Sequence, residues 1–590
     1  MYGLGVRPPL STAHVATLAL VGALALFHDA VADDVLHPGA LVLDRPTLVS
    51  LGVQLLVSGD DNHTAEVGVR YRALGTSTWR AALPLFRVRP ESVVGWVVPE
   101  QFAGTIFELS PATTYEIELH ATDADGAVDE VRTAVATTRG VPGDPATPSS
   151  KSVATTATLQ AALASAQPGD VITVAEGTYT GPFQIAASGT ATNPIVVRGT
   201  TREGTILDGR RCKTCNLLEI TGSFVHVERL TVQGALRGVR FKGATEGVVV
   251  RGVHVHDVTI GMIGDPDERD FYLCDNLLEG RLVWPHVYSD DGGRHASDDG
   301  INVKGFGHVV CHNRIGGFGD AMKVEQNGAR ADDFYGNEVV SAYDNGVELD
   351  TSEGNTRAFR NRFTNTFVPL SFQPTFGGPV YAVRNVVVNA AEDQLKLYAL
   401  NTTPPQEPSG VLVLRNTFVS AGHAISMEST ATSHHVVVQG NVFVGPAGAM
   451  PVVDWTGPLD DGSFDYDAFF PNGTFDFHGA GTWASFAAMQ AGGRFEAHGV
   501  LLSASPFASG LTAPATYKVT LTPQDPTLGP GSEAVDAGSA MPNVDDGFTG
   551  SAPDLGAAER GCPLPIYGIR PDGVDERNEP RGCATIAGCG

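Results

Sequence analysis

The sequence predicts an all-β chain, an N-terminal β-sandwich followed by a parallel β-helix of about nine or more coils. Three observations lead there. A motif recurs: Arg229, Gly252, Asn276, Asn313, Asn337, Asn361, Asn385, Asn416 and Asn441 hold one place in a repeat, at successive spacings of 23, 24, 37, 24, 24, 24, 31 and 25 residues. A fixed period of about 20 to 50 residues marks a solenoid. Each Asn precedes a run of alternating polar and apolar residues, as in Asn361-Arg-Phe and Asn416-Thr-Phe, the pattern of strands with one buried face. Finally, the 590 residues hold no helical heptads or long amphipathic helices. The recurring Asn is expected to stack as an internal ladder at a turn.

At this length two or three domains are expected. Arg7, the apolar run 15–27 and Ala30-Val31-Ala32 form a secretory-signal pattern over residues 1–32. The run is short for a membrane span. Export of a soluble monomer, secreted or at the cell surface and without stable membrane insertion, is therefore expected, with an uncleaved anchor as the alternative. A net charge of -27 and a pI near 4.9 argue against nucleic acid as a partner. They also make binding of any anionic substrate depend on a local basic patch.

Residues 38–138 carry strand-like runs at 67–71, 79–82 and 115–121 separated by turn signals, as in a β-sandwich. Leu109-Ser-Pro111-Ala-Thr-Thr-Tyr115-Glu-Ile-Glu-Leu119 resembles the fibronectin type III signature, in which the tyrosine forms a corner with the preceding loop. A Gly/Pro/Ser-rich linker follows over 139–151.

The β-helix is expected over 152–505. Residues 159–164 read as a short helix. Gly169-Asp-Val-Ile-Thr-Val-Ala-Glu-Gly-Thr-Tyr179 resembles the N-terminal cap of exported right-handed parallel β-helices of the pectate-lyase type. Cys274, Cys311, Tyr335, Phe359, Val383 and Leu414, two residues before the Asn, are expected to point inward. Two coils are longer than the rest. The first insertion holds Trp284, His286, Tyr288, Asp290, Asp291, Arg294 and His295, and the second is Asn401-Thr-Thr-Pro-Pro-Gln-Glu-Pro408. Both are expected to overhang one sheet face as groove walls. The tail, 506–590, contains Gly531-Ser-Glu-Ala-Val-Asp-Ala-Gly538 and Thr549-Gly-Ser-Ala-Pro-Asp-Leu-Gly556, which resemble a tail common to exported bacterial β-helix proteins. It is expected to close the open end of the solenoid. Of seven cysteines, Cys212 and Cys215 are near enough for a local bridge, Cys562, Cys583 and Cys589 lie in the tail, and a metal cluster is not expected.

Aligning coils on the Asn column lines up two outward positions of one strand. One carries Arg240, Asn302, Lys323, Glu348, Ser371, Lys396 and Ser426. The other carries Lys242, Lys304, Glu325, Asp350, Gln373, Tyr398 and Glu428. Four of the seven lysines of the chain fall on these columns. A surface salt-bridge ladder would explain Lys304 beside Glu325 and Lys323 beside Glu348. It explains poorly the crowding of Glu325, Glu348 and Asp350, which calls for a cation, a raised pKa or a lysine partner. Hard oxygen ligands of this kind suit calcium.

Glu348-Leu-Asp350-Thr-Ser352-Glu-Gly-Asn355-Thr-Arg357-Ala-Phe-Arg360-Asn361-Arg-Phe resembles the chondroitinase B and alginate lyase family of β-helical polysaccharide lyases. The resemblance implies Glu348 and Asp350 as calcium ligands with Glu325 as a third. It also implies a lysine base for the uronate C5 proton and an arginine at the leaving oxygen. Where the family's lysine follows the acidic pair this chain has Thr351, Ser352 and Glu353, so Lys323 or Lys396 would serve as base. Arg357, Arg360 or Lys304 would bind or protonate. Arg240, Lys242, Gln373, Tyr398 and His286 complete the expected contacts to an acidic polysaccharide. The leading expectation is a secreted lyase or related C5-epimerase. The alternatives are a hydrolase, since Asp298-Asp299-Gly-Ile-Asn-Val-Lys304 resembles the paired-aspartate strand of polygalacturonases, and a non-catalytic carbohydrate-binding or surface β-helix.

Overall fold

The computed structural model describes residues 32–93, 96–293, 297–325, 328–448 and 451–583. The expected secretory segment, apart from Ala32, lies outside them, as do Arg294, His295 and Cys589. Among the described residues no helix is long and apolar enough to cross a membrane.

The N-terminal region is a sandwich of two four-stranded antiparallel sheets. One sheet holds His37–Leu43, Leu51–Ser58, Gln101–Ile106 and Phe86–Val88; the other holds Val128–Thr137, Thr114–Asp123, Glu66–Ala73 and Arg80–Ala82. Alternate residues of both meet in one core, Val53, Leu55 and Phe102 with Val67, Ile117 and Leu119. The Tyr115 hydroxyl accepts the Ser110 N–H at 2.9 Å, making a corner of the loop before its strand.

A parallel β-solenoid follows, with one sheet of 13 strands and another of 17. Its first coils are closed by the helix Thr156–Ala164, capped by reciprocal bonds of Thr155 and Thr158, which buries Leu159 and Leu163. At the far end the helix Phe486–Ala491 lowers Phe486 and Met489 into the same core.

The Asn ladder runs through the interior. Each side-chain N–H of Asn276, Asn313, Asn337, Asn361, Asn385 and Asn416 reaches the Oδ1 of the next Asn at 2.9–3.0 Å. The backbone N–H of each bonds the same oxygen. The second amide proton finds a backbone carbonyl, as Asn361 finds Phe334. Only an amide offers two donors and a two-lone-pair acceptor in one planar group, which lets identical rungs satisfy one another with no solvent exposure. The residue before each ladder Asn is left-handed, from φ +51° at His312 to +76° at Gly440. Arg229 and Gly252 occupy this left-handed position, at φ +51° and +62°. The ladder place itself therefore falls one residue later, at Leu230 and Val253, and the Val253 N–H bonds Asn276 Oδ1. The ladder ends on Asp467, whose Oδ1 takes the last amide proton at 2.9 Å and whose N–H bonds Glu496. Burial pushes the Asp467 carboxyl up to about 7 and Glu496 well up.

Three expectations need correcting. The column Cys274, Cys311, Tyr335, Phe359, Val383 and Leu414 is buried but faces away from the lumen. It packs with Leu48, Val49 and Phe107 of the sandwich and Met541 and Val544 of the tail, while Leu273, Val310, Phe334, Ala358, Ala382 and Val413 fill the lumen. The tail is expected to close the open end, and its described residues, 506–583, lie along the flank instead. Leu528 and Leu555 cover Val388 and Val442, Val519 meets Asn389, and Arg570 reaches Asp275. Cys274 is bonded to Cys311 and Cys562 to Cys583, whereas Cys212 and Cys215 remain thiols.

Candidate functional site

The strands Asp299–Val303, Asp320–Val324, Glu338–Glu348, Arg362–Ser371 and Leu395–Lys396 lie side by side. Their inward residues Ile301, Met322, Val347, Leu370 and Leu395 are fully buried. Alternation then turns the polar residues outward. Register runs Arg240, Ile263, Asn302, Lys323, Glu348, Ser371, Lys396 without a break. Ile263 stands between Arg240 and Asn302 in this register.

Lys323 is the centre of the face. Its ammonium lies 3.1 Å from Asp320, 3.4 Å from Glu348 and 3.6 Å from Asp299, with its side chain only 15% exposed. Two amides hold the carboxylates in place: Asn345 donates to Asp320 at 2.8 Å and Glu348 at 3.0 Å, and Asn302 donates to Asp299 and Glu325, both at 2.7 Å. Lys304 sits 3.4 Å from Glu325. Asp350 accepts from Ser371 Oγ at 2.8 Å and the Gln373 N–H at 2.6 Å. Lys396 lies over the Tyr398 ring at 5.7 Å and, among the described residues, has no carboxylate within 4.0 Å. The Tyr398 hydroxyl donates to Asp393 at 2.8 Å.

Protons are unevenly distributed over this cluster. Burial, with Asp320 and Asp350 nearby, pushes the Glu348 carboxyl well up. Burial raises Asp299 to about 6 and Asp344 to about 7. Asp320 is equally buried, but Lys323 and the Asn345 amide outweigh the burial and hold it below the usual carboxylate range. Burial would strip Lys323 of its proton; instead Asp320, Glu348 and Asp299 hold that proton well above the usual lysine range. A lysine so held is a poor base and a fixed positive charge, while the carboxyls around it are shifted in opposite directions, Asp320 down and Glu348 up.

The first insertion borders the face through Tyr343 and Phe367. Within it, Trp284 and Val287 pack on Phe367 and Val368, and Trp284 Nε1 donates to Val519 O of the tail at 2.8 Å. His286 stands on this wall, 2.9 Å from Asp291 and ring-to-ring with Tyr343 at 5.5 Å, beside Asp344. Leu400, just before the second insertion, packs with Phe376 and with Val88 and Val98 of the sandwich.

Other expected residues fall elsewhere. Arg357 is fully buried on the 13-stranded sheet, bonded to Asp333 and to Thr105 of the sandwich; it fastens two domains and cannot reach substrate. Arg360 is 4% exposed and pairs with Glu108 at 3.2 Å. Arg240 is tied to Asp265 and Lys242 loosely to Glu219 at 3.8 Å, at the upstream end of the face. The calcium set is not assembled: Glu325, Glu348 and Asp350 each engage amide, hydroxyl or ammonium donors. Among the described residues the trio of His, Cys, Asp or Glu with ligand atoms mutually within 4.8 Å is Cys274, Cys311 and Glu576, two of which form a disulfide. Glu325, Glu348 and Asp350 as arranged do not fit a calcium cage. Asp344 and Asp393 escaped the sequence reading, and Asp299 entered it only within the segment 298–304. A signal for most of them was present: Asp299, Asp320, Asn345 and Asp393 stand three residues before Asn302, Lys323, Glu348 and Lys396.

No protein-family model matches the sequence, and none of the curated proteins does. Solved structures give low-identity likenesses. An alginate lyase from Paenibacillus sp. str. FPU-7 aligns at 19% identity over 53% of this chain and 98% of that one, with a TM-score of 0.28. The PL6 family alginate lyase AlyGC aligns at 16% identity over 54% of this chain and 51% of that one, with a TM-score of 0.36. The catalytic unit of a thermostable GH87 α-1,3-glucanase from Streptomyces thermodiastaticus strain HF3-3 aligns at 13% identity over 72% and 88%, with a TM-score of 0.36.

Proposed function

We propose that the protein is a carbohydrate-active enzyme that cleaves an exported acidic polysaccharide, and that the face around Lys323 is its active site. The observation that carries this reading is the set of three carboxyls within 3.1–3.6 Å of one buried ammonium, of which Asp320 is held below and Glu348 pushed well above the usual carboxylate range. Titratable groups pushed apart in this way supply an acid and a base at one pH. In hydrolysis, Glu348 would protonate the leaving glycosidic oxygen and Asp320 would activate water or stabilise the oxocarbenium ion. Lys323 would fix both in their charge states.

A β-elimination at a uronate is the second reading, and Lys396 favours it. Its ammonium, with no carboxylate within 4.0 Å among the described residues, is available to neutralise a uronate carboxylate and so acidify the C5 proton. The three carboxylates about Lys323 weigh against that residue as the base.

A panel of uronate polymers separates the readings. Hydrolysis releases reducing ends without ultraviolet absorbance; elimination releases unsaturated sugar that absorbs. An epimerase would change uronate composition with little cleavage. If every polymer is left unaltered by the wild-type protein while being bound, the face is a binding surface and the catalytic reading fails.

A further inference from the structure

The strand Thr205–Ile220 is distorted where it carries two cysteines. It meets its neighbour, Thr231–Phe241, at Asp208 with Gln233, Cys212 with Ala235 and Asn216 with Arg237. Between those pairs it advances four residues for every two of the neighbour, so the surplus bulges out of the sheet on both sides of Cys212. Arg210 and Arg211 enter the bulge in the left-handed region, at φ +53° and +59°. For residues other than glycine such backbone costs about 1–3 kcal/mol each, and it gathers at functional sites.

The bulge brings Cys212 and Cys215 together in unlike surroundings. The Cys215 N–H donates to Cys212 Sγ at 3.1 Å, and the Cys215 thiol hydrogen-bonds that of Cys212. Cys212 opens on a cavity of about 490 Å³, bounded by Arg211, Lys213, Leu236, Asp257 and Thr259 among others. Arg211 and Lys213, on either side of it, are exposed, and neither forms an ion pair among the described residues. Cys215 instead packs on the solenoid core. The hydrogen bond from Cys215 and the backbone N–H groups of the bulge hold the Cys212 thiol below the usual thiol range, while burial pushes Cys215 up. The other cysteines among the described residues are already paired.

The thiolate is the nucleophile in sulfur exchange, and neighbouring cations favour it. An accessible Cys212 between two cations, with a second thiol held against it, therefore has an attacking and a resolving sulfur. We propose that Cys212 and Cys215 form a thiol–disulfide exchange site whose co-reactant is a small disulfide bearing carboxylates. The Cys212 thiolate attacks one sulfur of the co-reactant, forming a mixed disulfide and releasing a thiolate. Cys215 gives its proton to that thiolate and attacks Cys212 Sγ, which expels the second thiolate and closes a Cys212–Cys215 bridge. The chain gives up two electrons, and one disulfide becomes two thiols. Arg211 and Lys213 draw the anionic co-reactant in. The site does not rest on the reading of the charged face.

The test uses the full chain carrying Cys589→Ser, so that this odd cysteine adds no thiol. It is treated with reduced glutathione, desalted, and mixed with glutathione disulfide or with cystamine, a cationic disulfide. Samples are quenched in acid and weighed by mass spectrometry. With glutathione disulfide the chain should become two hydrogens lighter and gain no adduct. Cys215→Ser should stop at a mixed disulfide on Cys212, and Cys212→Ser should react about tenfold more slowly or less. Glutathione disulfide should outpace cystamine roughly tenfold, and Arg211→Gln with Lys213→Gln should erase that preference. A bridge that reduced glutathione cannot open is a structural disulfide and overturns the proposal. So does slow, equal capture of one glutathione by each thiol, which would mark two unrelated cysteines.

Discussion

Two polar columns climb the same solenoid, one inside and one outside. The inner column repeats a single residue, and each Asn both gives and takes, so the series closes on itself with every amide proton bonded. The outer column alternates Asn302, Lys323, Glu348, Ser371 and Lys396. Those residues do not pair off rung by rung: the Glu348 carboxyl is pushed well up, and Lys396 has no carboxylate within 4.0 Å among the described residues. Identity at each rung makes a scaffold, whereas mismatch maintained at each rung stores the charge that chemistry needs.

The contrast can be broken from the inside first. Asn361→Leu leaves the Asn337 N–H and one of its two Nδ2 protons unpaired in the core. At about 1–3 kcal/mol for each stranded group, the loss should be on the order of 4 kcal/mol or more, read by denaturant unfolding. On the outside the same kind of change should spare the fold and remove function. Glu348→Gln and Lys323→Ala should each lower turnover by about 10²–10⁴-fold, the range for lost acid–base catalysis, with near-native circular dichroism. Unchanged activity in both would refute the site assignment.

Protonation sharpens the comparison further. Asp299, Asp344 and Asp467 have folded-state pKa values of about 6, 7 and 7, above the 3.8 of the free side chain. The folded chain thus binds more protons than the unfolded one between about pH 4 and pH 7, and stability falls as pH rises through that window. Asp320 and Glu325, depressed by their cationic and amide partners, act oppositely, and their contribution is lost at lower pH. The melting temperature should therefore be highest in mild acid. Asp467→Asn, which makes the end of the ladder an amide, should flatten the alkaline side. Chelator should leave both melting temperature and activity unchanged, because the carboxylates are already satisfied by protein donors. Smallest of all, Lys242→Ala should shift stability by less than about 0.5 kcal/mol, as expected of an exposed pair; its partner is 3.8 Å away.

The sequence makes the ladder and the outer columns legible for one reason. A residue kept at fixed spacing reports register, and register places every other side chain. Sidedness is less legible. Cys274 through Leu414 alternate as core residues should, yet the surface they cover lies outside the coil, because another domain docks there. Arg357 and Arg360 read as exposed cations for the same reason and prove to be clamps under the sandwich. Proximity without periodicity, as of Asp344 to Lys323, depends on turns that no single repeat specifies.

The tail that folds back along the flank has a mechanical meaning. A bare solenoid couples only nearest neighbours, so either end can fray without the other responding. Here the segment after the last coil is bonded to Asn389 and Asn365 and then to Asp275, so opening the final coils pulls on the early ones. The chain is laced like a boot, and its coils should melt in a single step.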